Sequence, residues 1–154
     1  MDLVQFSDFK SEQFQEIFRE YYLEEGIVLR ENTMVFEEIQ KSADKGNTKC
    51  FILLESEKII GFIMFKTIQL NNDNGFIKQN IGHIEEVFID KNNRKKGYGK
   101  LLLLRVEEYF KNINIKKIFL TARTQVHSYY CNLGYFVDDS YICANNLKCY
   151  FKSL

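Results

Sequence analysis

The stretch that decides the fold is His83-Ile84-Glu85-Glu86-Val87-Phe88-Ile89-Asp90-Lys91-Asn92-Asn93-Arg94-Lys95-Lys96-Gly97-Tyr98-Gly99-Lys100-Leu101-Leu102-Leu103-Leu104. Its first seven residues are β-branched, aromatic or alternating, and read as a strand. Asp90 to Asn93 leaves that strand. From Tyr98 to about Lys111 an apolar face recurs at helical spacing through Leu102, Leu103, Val106, Tyr109 and Phe110. Between strand and helix lies a basic, glycine-containing turn. The first amides of a helix have no helical partner and sit at the positive end of its dipole. Gly97 and Gly99 leave backbone open to an approaching anion. Arg94, Lys95, Lys96 and Lys100 add positive charge, with Lys91 nearby. The turn is suited to a pyrophosphate; the plainer reading is a solvated basic loop. It is neither a P-loop nor a GxGxxG dinucleotide turn.

Working outward, the pattern is one of mixed helices and strands. Leu3 to Phe6 reads as a short strand, and Ser11 to about Leu23 as a helix with Ser11 as N-cap. Val35 to about Ala43 reads as a second helix, with Asn32 or Thr33 near its start. Cys50 to Glu55 and Ile59 to Leu70 form a hairpin across Ser56-Glu57-Lys58, and Asn71 to Gly75 is a polar loop. After the central strand and helix come a strand over Lys117 to Thr121 and a short helix over Gln125 to Asn132, closed by Gly134. Terminal strands lie within Tyr135 to Val137 and Tyr141 to Phe151. The expected fold is α+β, or mixed α/β, with one domain over residues 1–154.

Composition sets limits on function. Lys plus Arg equals Asp plus Glu, 21 against 21, which argues against a nucleic-acid partner. No apolar run approaches the roughly 20 residues of a membrane span, and the start lacks the look of a signal peptide. The cysteines Cys50, Cys131, Cys143 and Cys149 form no CxxC pair. Isolated reduced thiols fit the cytoplasm, and no metal site is expected.

The order strand, Arg-x-x-Gly-x-Gly, amphipathic helix, strand, short helix resembles the GNAT superfamily of N-acetyltransferases. Arg94, Gly97 and Gly99 match its first signature. Tyr129-Tyr130-Cys131-Asn132-Leu133-Gly134-Tyr135 is close to its second, FYxxxGF. The departures are Lys91 where proline is usual, and tyrosines at 129 and 135 in place of phenylalanines. The resemblance spans about Cys50 to Tyr135. It implies a central, mostly antiparallel, splayed sheet of about six to seven strands flanked by about four helices. It implies acetyl-CoA as cosubstrate and no metal. The coenzyme would be held by Val87, Phe88, Ile89, Arg94, Lys95, Lys96, Gly97, Tyr98, Gly99 and Lys100. The pantetheine arm would pair with the Val87 and Ile89 backbone, and one of those amides would polarise the thioester carbonyl. Tyr130 stands where the family places the donor to the departing thiolate, a role suited to a phenol with a pKa of about 10; without that motif it reads first as a core aromatic.

An ammonium acceptor must lose a proton before it attacks. Alternation puts His83, Glu85 and Val87 on one strand face and Ile84, Glu86 and Phe88 on the other. Glu85 is the first choice for base or amine-binding acid, His83 the second and Glu86 the third, against a solvated or lysine-paired carboxylate. Cys131 could suggest a thiol nucleophile, yet nothing in the sequence marks it as activated. Gly82-His83-Ile84-Glu85-Glu86-Val87 also resembles the GHIED-V strand of glucosamine-6-phosphate N-acetyltransferases, and polyamine acetyltransferases carry a similar acid pair. These parallels imply a small polar primary amine, with Arg123 available to an anionic group. A protein or peptide N-acetyltransferase and a non-catalytic acetyl-CoA-binding regulator are the alternatives. A homodimer is left open.

Overall fold

A computed structural model describes residues 1–30, 34–71, 78–141, 143 and 146–154. The elements run β1 (Asp2–Phe6), α1 (Glu12–Glu24), α2 (Val35–Asp44), β2 (Lys49–Glu55), β3 (Lys58–Asn71), β4 (Lys78–Ile89), α3 (Tyr98–Asn112), β5 (Lys117–Ala122), α4 (His127–Asn132), β6 (Phe136–Val137) and β7 (Lys148–Ser153). Short 3-10 turns cover Lys91–Asn93 and Thr124–Val126. The seven strands form one sheet in the order β1-β2-β3-β4-β5-β7-β6. β1 with β2, β2 with β3, β5 with β7 and β6 with β7 are antiparallel, whereas β4 and β5 are parallel, joined through α3. This is the expected mixed sheet, with four α-helices among the described residues. No helix among them is long and apolar enough to cross a membrane.

The chain divides into two compact units. One comprises Met1–Phe65 with Glu86–Leu103, the other Lys66–Glu85 with Leu104–Leu154. In the first, α1 buries Phe14, Ile17 and Phe18 against Phe36, Phe62 and Phe88. Phe14, Phe18 and Phe62 stand 5.5–5.7 Å apart, ring centre to ring centre. Each such side chain contributes roughly 1.5–3 kcal/mol by leaving water. Ser11 occupies the N-cap position of α1, but its side chain makes no cap hydrogen bond. The hydroxyl donates instead to the Asp8 carbonyl at 2.8 Å, so the expected N-cap position is met without a side-chain cap bond. α2 begins after Met34; Asn32 and Thr33, expected near its start, lie outside the described residues, as does most of the Asn71–Gly75 loop.

In the second unit, Val106 and Phe110 of α3 are buried. Gly82 makes that packing possible: a Cβ there would stand 2.5 Å from the Phe110 ring and 2.7 Å from Ile118. Only glycine leaves the room. Glu107 is buried on α3 and takes the Lys152 ammonium at 2.8 and 2.9 Å and the Tyr135 hydroxyl at 3.3 Å. The cation and the phenol together offset the cost of burying that carboxylate. Cys143 and Cys149 form a disulfide. The expectation of four free thiols is therefore corrected for this pair. Their Cα atoms stand 6.6 Å apart, a pairing that the six-residue spacing does not announce.

Candidate active site

The basic turn belongs to the first unit. Asp90 directly follows β4 and donates its amide to the Ile60 carbonyl of β3 at 3.0 Å. Its buried carboxylate accepts the amides of Asn92 and Asn93 at 2.8 and 3.2 Å and the Asn93 side-chain amide at 2.9 Å. These bonds fix the chain as it leaves the strand. Lys95 and Gly97 then take left-handed conformations, with φ of 63° and 83°. The turn tip is exposed, and nothing lies within 4 Å of where a Cβ on Gly97 would stand. The first helical bond of α3 runs from the Leu101 amide to the Gly97 carbonyl at 3.1 Å. The amides of Tyr98, Gly99 and Lys100 precede it, as first-turn donors.

Arg94, the first letter of the signature, is used differently from the rest of the turn. Its Nε donates to the Ile89 carbonyl at 2.9 Å, its Nη2 pairs with Glu24 at 2.6 Å, and its guanidinium lies 5.4 Å from the centre of the Phe88 ring. It ties the end of α1 to the end of β4. Lys96 donates to the Asn93 side chain at 2.7 Å. Lys95 and Lys100 are exposed.

Strand alternation fixes the edges and faces of β4. Asp90 points its amide at β3, so the amides of Val87 and Ile89 turn to the opposite edge. Phe88 is buried in the aromatic cluster. Glu86, on the same face, accepts the Tyr21 hydroxyl of α1. Burial first, and then the Glu86 charge, hold the Tyr21 phenol far above its ordinary pKa, so it stays a donor.

His83 and Glu85 lie in the second unit. The parallel ladder of β4 with β5 consists of Gly82↔Ile118 and His83↔Phe119. His83 is thus its last rung, and Glu85 follows two residues on. The His83 ring stacks on Phe119 with centroids 4.2 Å apart and planes 2° from parallel. Burial lowers its pKa; the Glu85 charge pulls it back up and Lys66 pushes it down. Glu85 forms an ion pair with Lys66 at 2.5 Å. The structure thus brings His83, Glu85 and Lys66 together and gives Glu86 to Tyr21.

Tyr130 sits on α4, half-buried beside Tyr135 and Tyr150 at 5.7 and 5.5 Å between ring centres. Burial, then the neighbouring Tyr129 and Tyr150, push its pKa up to about 12. Its hydroxyl makes no hydrogen bond to another of the described residues. Tyr135 is spent on Glu107. Lys66, Tyr21 and Asp90 were not among the sequence candidates. An aspartate opening a polar turn is a readable cap signal; the other two depend on pairings that sequence does not display.

The chain matches the Acetyltransferase (GNAT) family over residues 9–135. Its fold is similar to that of a PaiA N-acetyltransferase from Thermoplasma acidophilum, solved in complex with coenzyme A: 20% identity, 100% of each chain covered, TM-score 0.73. It is also similar to a GNAT-family acetyltransferase from Staphylococcus aureus, at 19% identity, 99% and 98% coverage and TM-score 0.71. An acetyltransferase from Thermus thermophilus matches at 14% identity, 99% and 96% coverage and TM-score 0.75. The chain belongs to the GNAT family and is an acetyl-CoA-dependent N-acetyltransferase.

Proposed function

We propose that this enzyme acetylates the primary amine of a small polar molecule, an amino sugar or a polyamine-like compound, by direct attack within a ternary complex. The observation that carries the reading is the exposed turn at Arg94 to Lys100, which opens a 15-residue helix. Its left-handed Lys95 and Gly97 and its first-turn amides are the kind of backbone that suits a pyrophosphate. Lys95, Lys96 and Lys100 supply charge, while Arg94 holds the strand end in place. The edge amides of Val87 and Ile89 suit the pantetheine arm, with Phe88 anchoring the strand and Tyr98 starting the helix. The coenzyme supplies an activated acetyl thioester.

The residues then divide the proton work. Glu85 attracts the ammonium, which competes with Lys66 for the carboxylate. Neutral His83, on the same strand face, accepts a proton directly or through water. The hydroxyl of Tyr130 keeps its proton at neutral pH and offers it to the departing sulfur. Residues 1–154 act as one N-acetyltransferase domain, a reading supported by β3, β4 and α3, each of which runs through both units.

The test is coenzyme A release with acetyl-CoA and a panel of amino sugars, polyamines and peptides. Selective turnover of the small amines supports the reading. Turnover of peptides alone overturns the acceptor class in favour of a protein or peptide N-acetyltransferase. We also place the enzyme in the cytoplasm, because its acetyl donor is a cytoplasmic metabolite. The Cys143–Cys149 bridge weighs against a reducing compartment. Cell fractionation checks the placement, and light scattering of the purified chain tests for a homodimer.

A further inference from the structure

Lys66 and Glu85 form an ion pair on the part of the second unit that carries His83. Lys66 stands on β3, two residues before Ile68, and Glu85 on β4, two residues after His83. Their charged atoms are 2.5 Å apart, and the side chains are 34% and 22% exposed. Alternation puts Lys66 on the same face of β3 as Ile68 and Leu70. Those two and Phe119 pack against the buried Ile81 and Phe151, and the His83 ring lies on Phe119. The pair therefore stands at the end of an apolar surface. Among the described residues, no second carboxylate is ion-paired with Lys66 and no second cation with Glu85.

This arrangement sets a condition on any amine that enters. Under the proposed function, on which the inference rests, the acceptor's ammonium takes the place of Lys66 on Glu85. An acceptor that is only a cation leaves the Lys66 ammonium without a counter-charge beside apolar side chains, and that loss opposes binding. An acceptor that brings its own anion gives Glu85 a new cation and Lys66 a new anion. Two charge-assisted contacts then replace one. Because the two protein charges touch, the two charges of the acceptor must also lie close together, a few bonds apart. A neutral-bodied amino sugar has no such anion. A polyamine adds further positive charge next to Lys66, which repels it.

We propose that Lys66 is a specificity-determining residue, and that the acceptor is a small zwitterion with an acidic group a few bonds from the amine that Glu85 receives. Lys66 is the counter-ion of that acidic group. It takes no proton in the reaction; it decides which amine is held.

The experiment compares glucosamine with glucosaminate, its C1 acid, and with spermidine, by coenzyme A release from wild type, Lys66→Met and Lys66→Arg. In the wild type the KM for glucosaminate is expected about tenfold below that for glucosamine, the gain of one hydrogen bond to a charged group. Lys66→Met erases the difference by raising the glucosaminate KM, with the change falling on KM more than on kcat. It also lowers the KM for spermidine, because Glu85 has lost its internal cation. Lys66→Arg keeps the preference for the acid. Binding is read separately by NMR from the His83 ring signals, which an amine on Glu85 shifts. Equal KM values in the wild type, or a preference unmoved by Lys66→Met, overturn the role of Lys66 and leave the acetylation of small amines in place. If none of these amines is acetylated and none shifts His83, Glu85 is not the amine site, and the proposed function falls together with this inference.

Discussion

The imidazole of His83 lies flat on the ring of Phe119, 4.2 Å away, at the last rung of the parallel ladder between β4 and β5. One face of the ring is thereby shut off from water, and desolvation is the main cause of its lowered pKa. An NMR titration is expected to place His83 below the ordinary histidine value of about 6.5, with Phe119→Ala moving it back up. The unfolded chain then binds more protons than the native one between the native pKa and about 6.5. The His83 contribution to stability is accordingly full above that window and is lost as pH falls through the native pKa. A native value at or above that of an unstructured peptide would contradict this.

The pair beside His83 allows a test with opposite signs. Lys66 depresses the His83 pKa and Glu85 raises it. Lys66→Met is expected to raise it, and Glu85→Gln to lower it further. If Glu85 also receives the amine, Glu85→Gln slows turnover most at low pH, where the free amine is scarce, and leaves coenzyme binding largely intact. A pH–rate profile of unchanged shape and height would remove Glu85 from the reaction and direct the search to Glu86.

Tyr130→Phe keeps the ring packing against Tyr135 and Tyr150 and removes only the hydroxyl. The expected loss is about 100- to 10,000-fold in kcat, with acetyl-CoA affinity nearly unchanged by calorimetry. Wild-type turnover under conditions where chemistry limits the rate would exclude the role.

Gly97 has φ of 83° and open space around it. Gly97→Leu is expected to abolish saturable acetyl-CoA binding in calorimetry. Its cost in stability is about 1–2 kcal/mol, the penalty of a left-handed backbone, because no neighbour is displaced. Undiminished affinity would move the pyrophosphate away from this turn.

How much of this was legible beforehand differs by element. The helix from Tyr98 and the strand to Ile89 were readable because each carries its own periodicity. The turn was readable because glycine and basic residues have local meanings there. The Lys66–Glu85 and Tyr21–Glu86 pairs were not, since the first depends on strand neighbours and the second on the placement of α1 against β4. Ser11 stands at the N-cap as its place in the sequence suggests, but the partner of its hydroxyl is not readable there, because a competing acceptor lies on Asp8, three residues back. Gly82 gave no hint that Phe110 needs its missing side chain, because that contact depends on where α3 crosses the strand.

The buried Glu107 offers a stability test remote from the coenzyme turn. Lys152→Met leaves its carboxylate without the ammonium, and a loss of about 3–5 kcal/mol is expected in urea denaturation. The Tyr135 hydroxyl is expected to limit the damage, so the double variant Lys152→Met/Tyr135→Phe should fall further. Stability within experimental error of wild type would show that water replaces the lysine.

The interleaving of the two units along the chain sets an order for their birth on the ribosome. Every residue of the first unit has been synthesised once the chain reaches Leu103. At that moment the second unit consists only of residues 66–85. Its share of β4 still lacks β5, whose synthesis starts fourteen residues later at Lys117. The portion bearing the coenzyme turn can therefore gather its aromatic core while the helix carrying Tyr130 is still unmade.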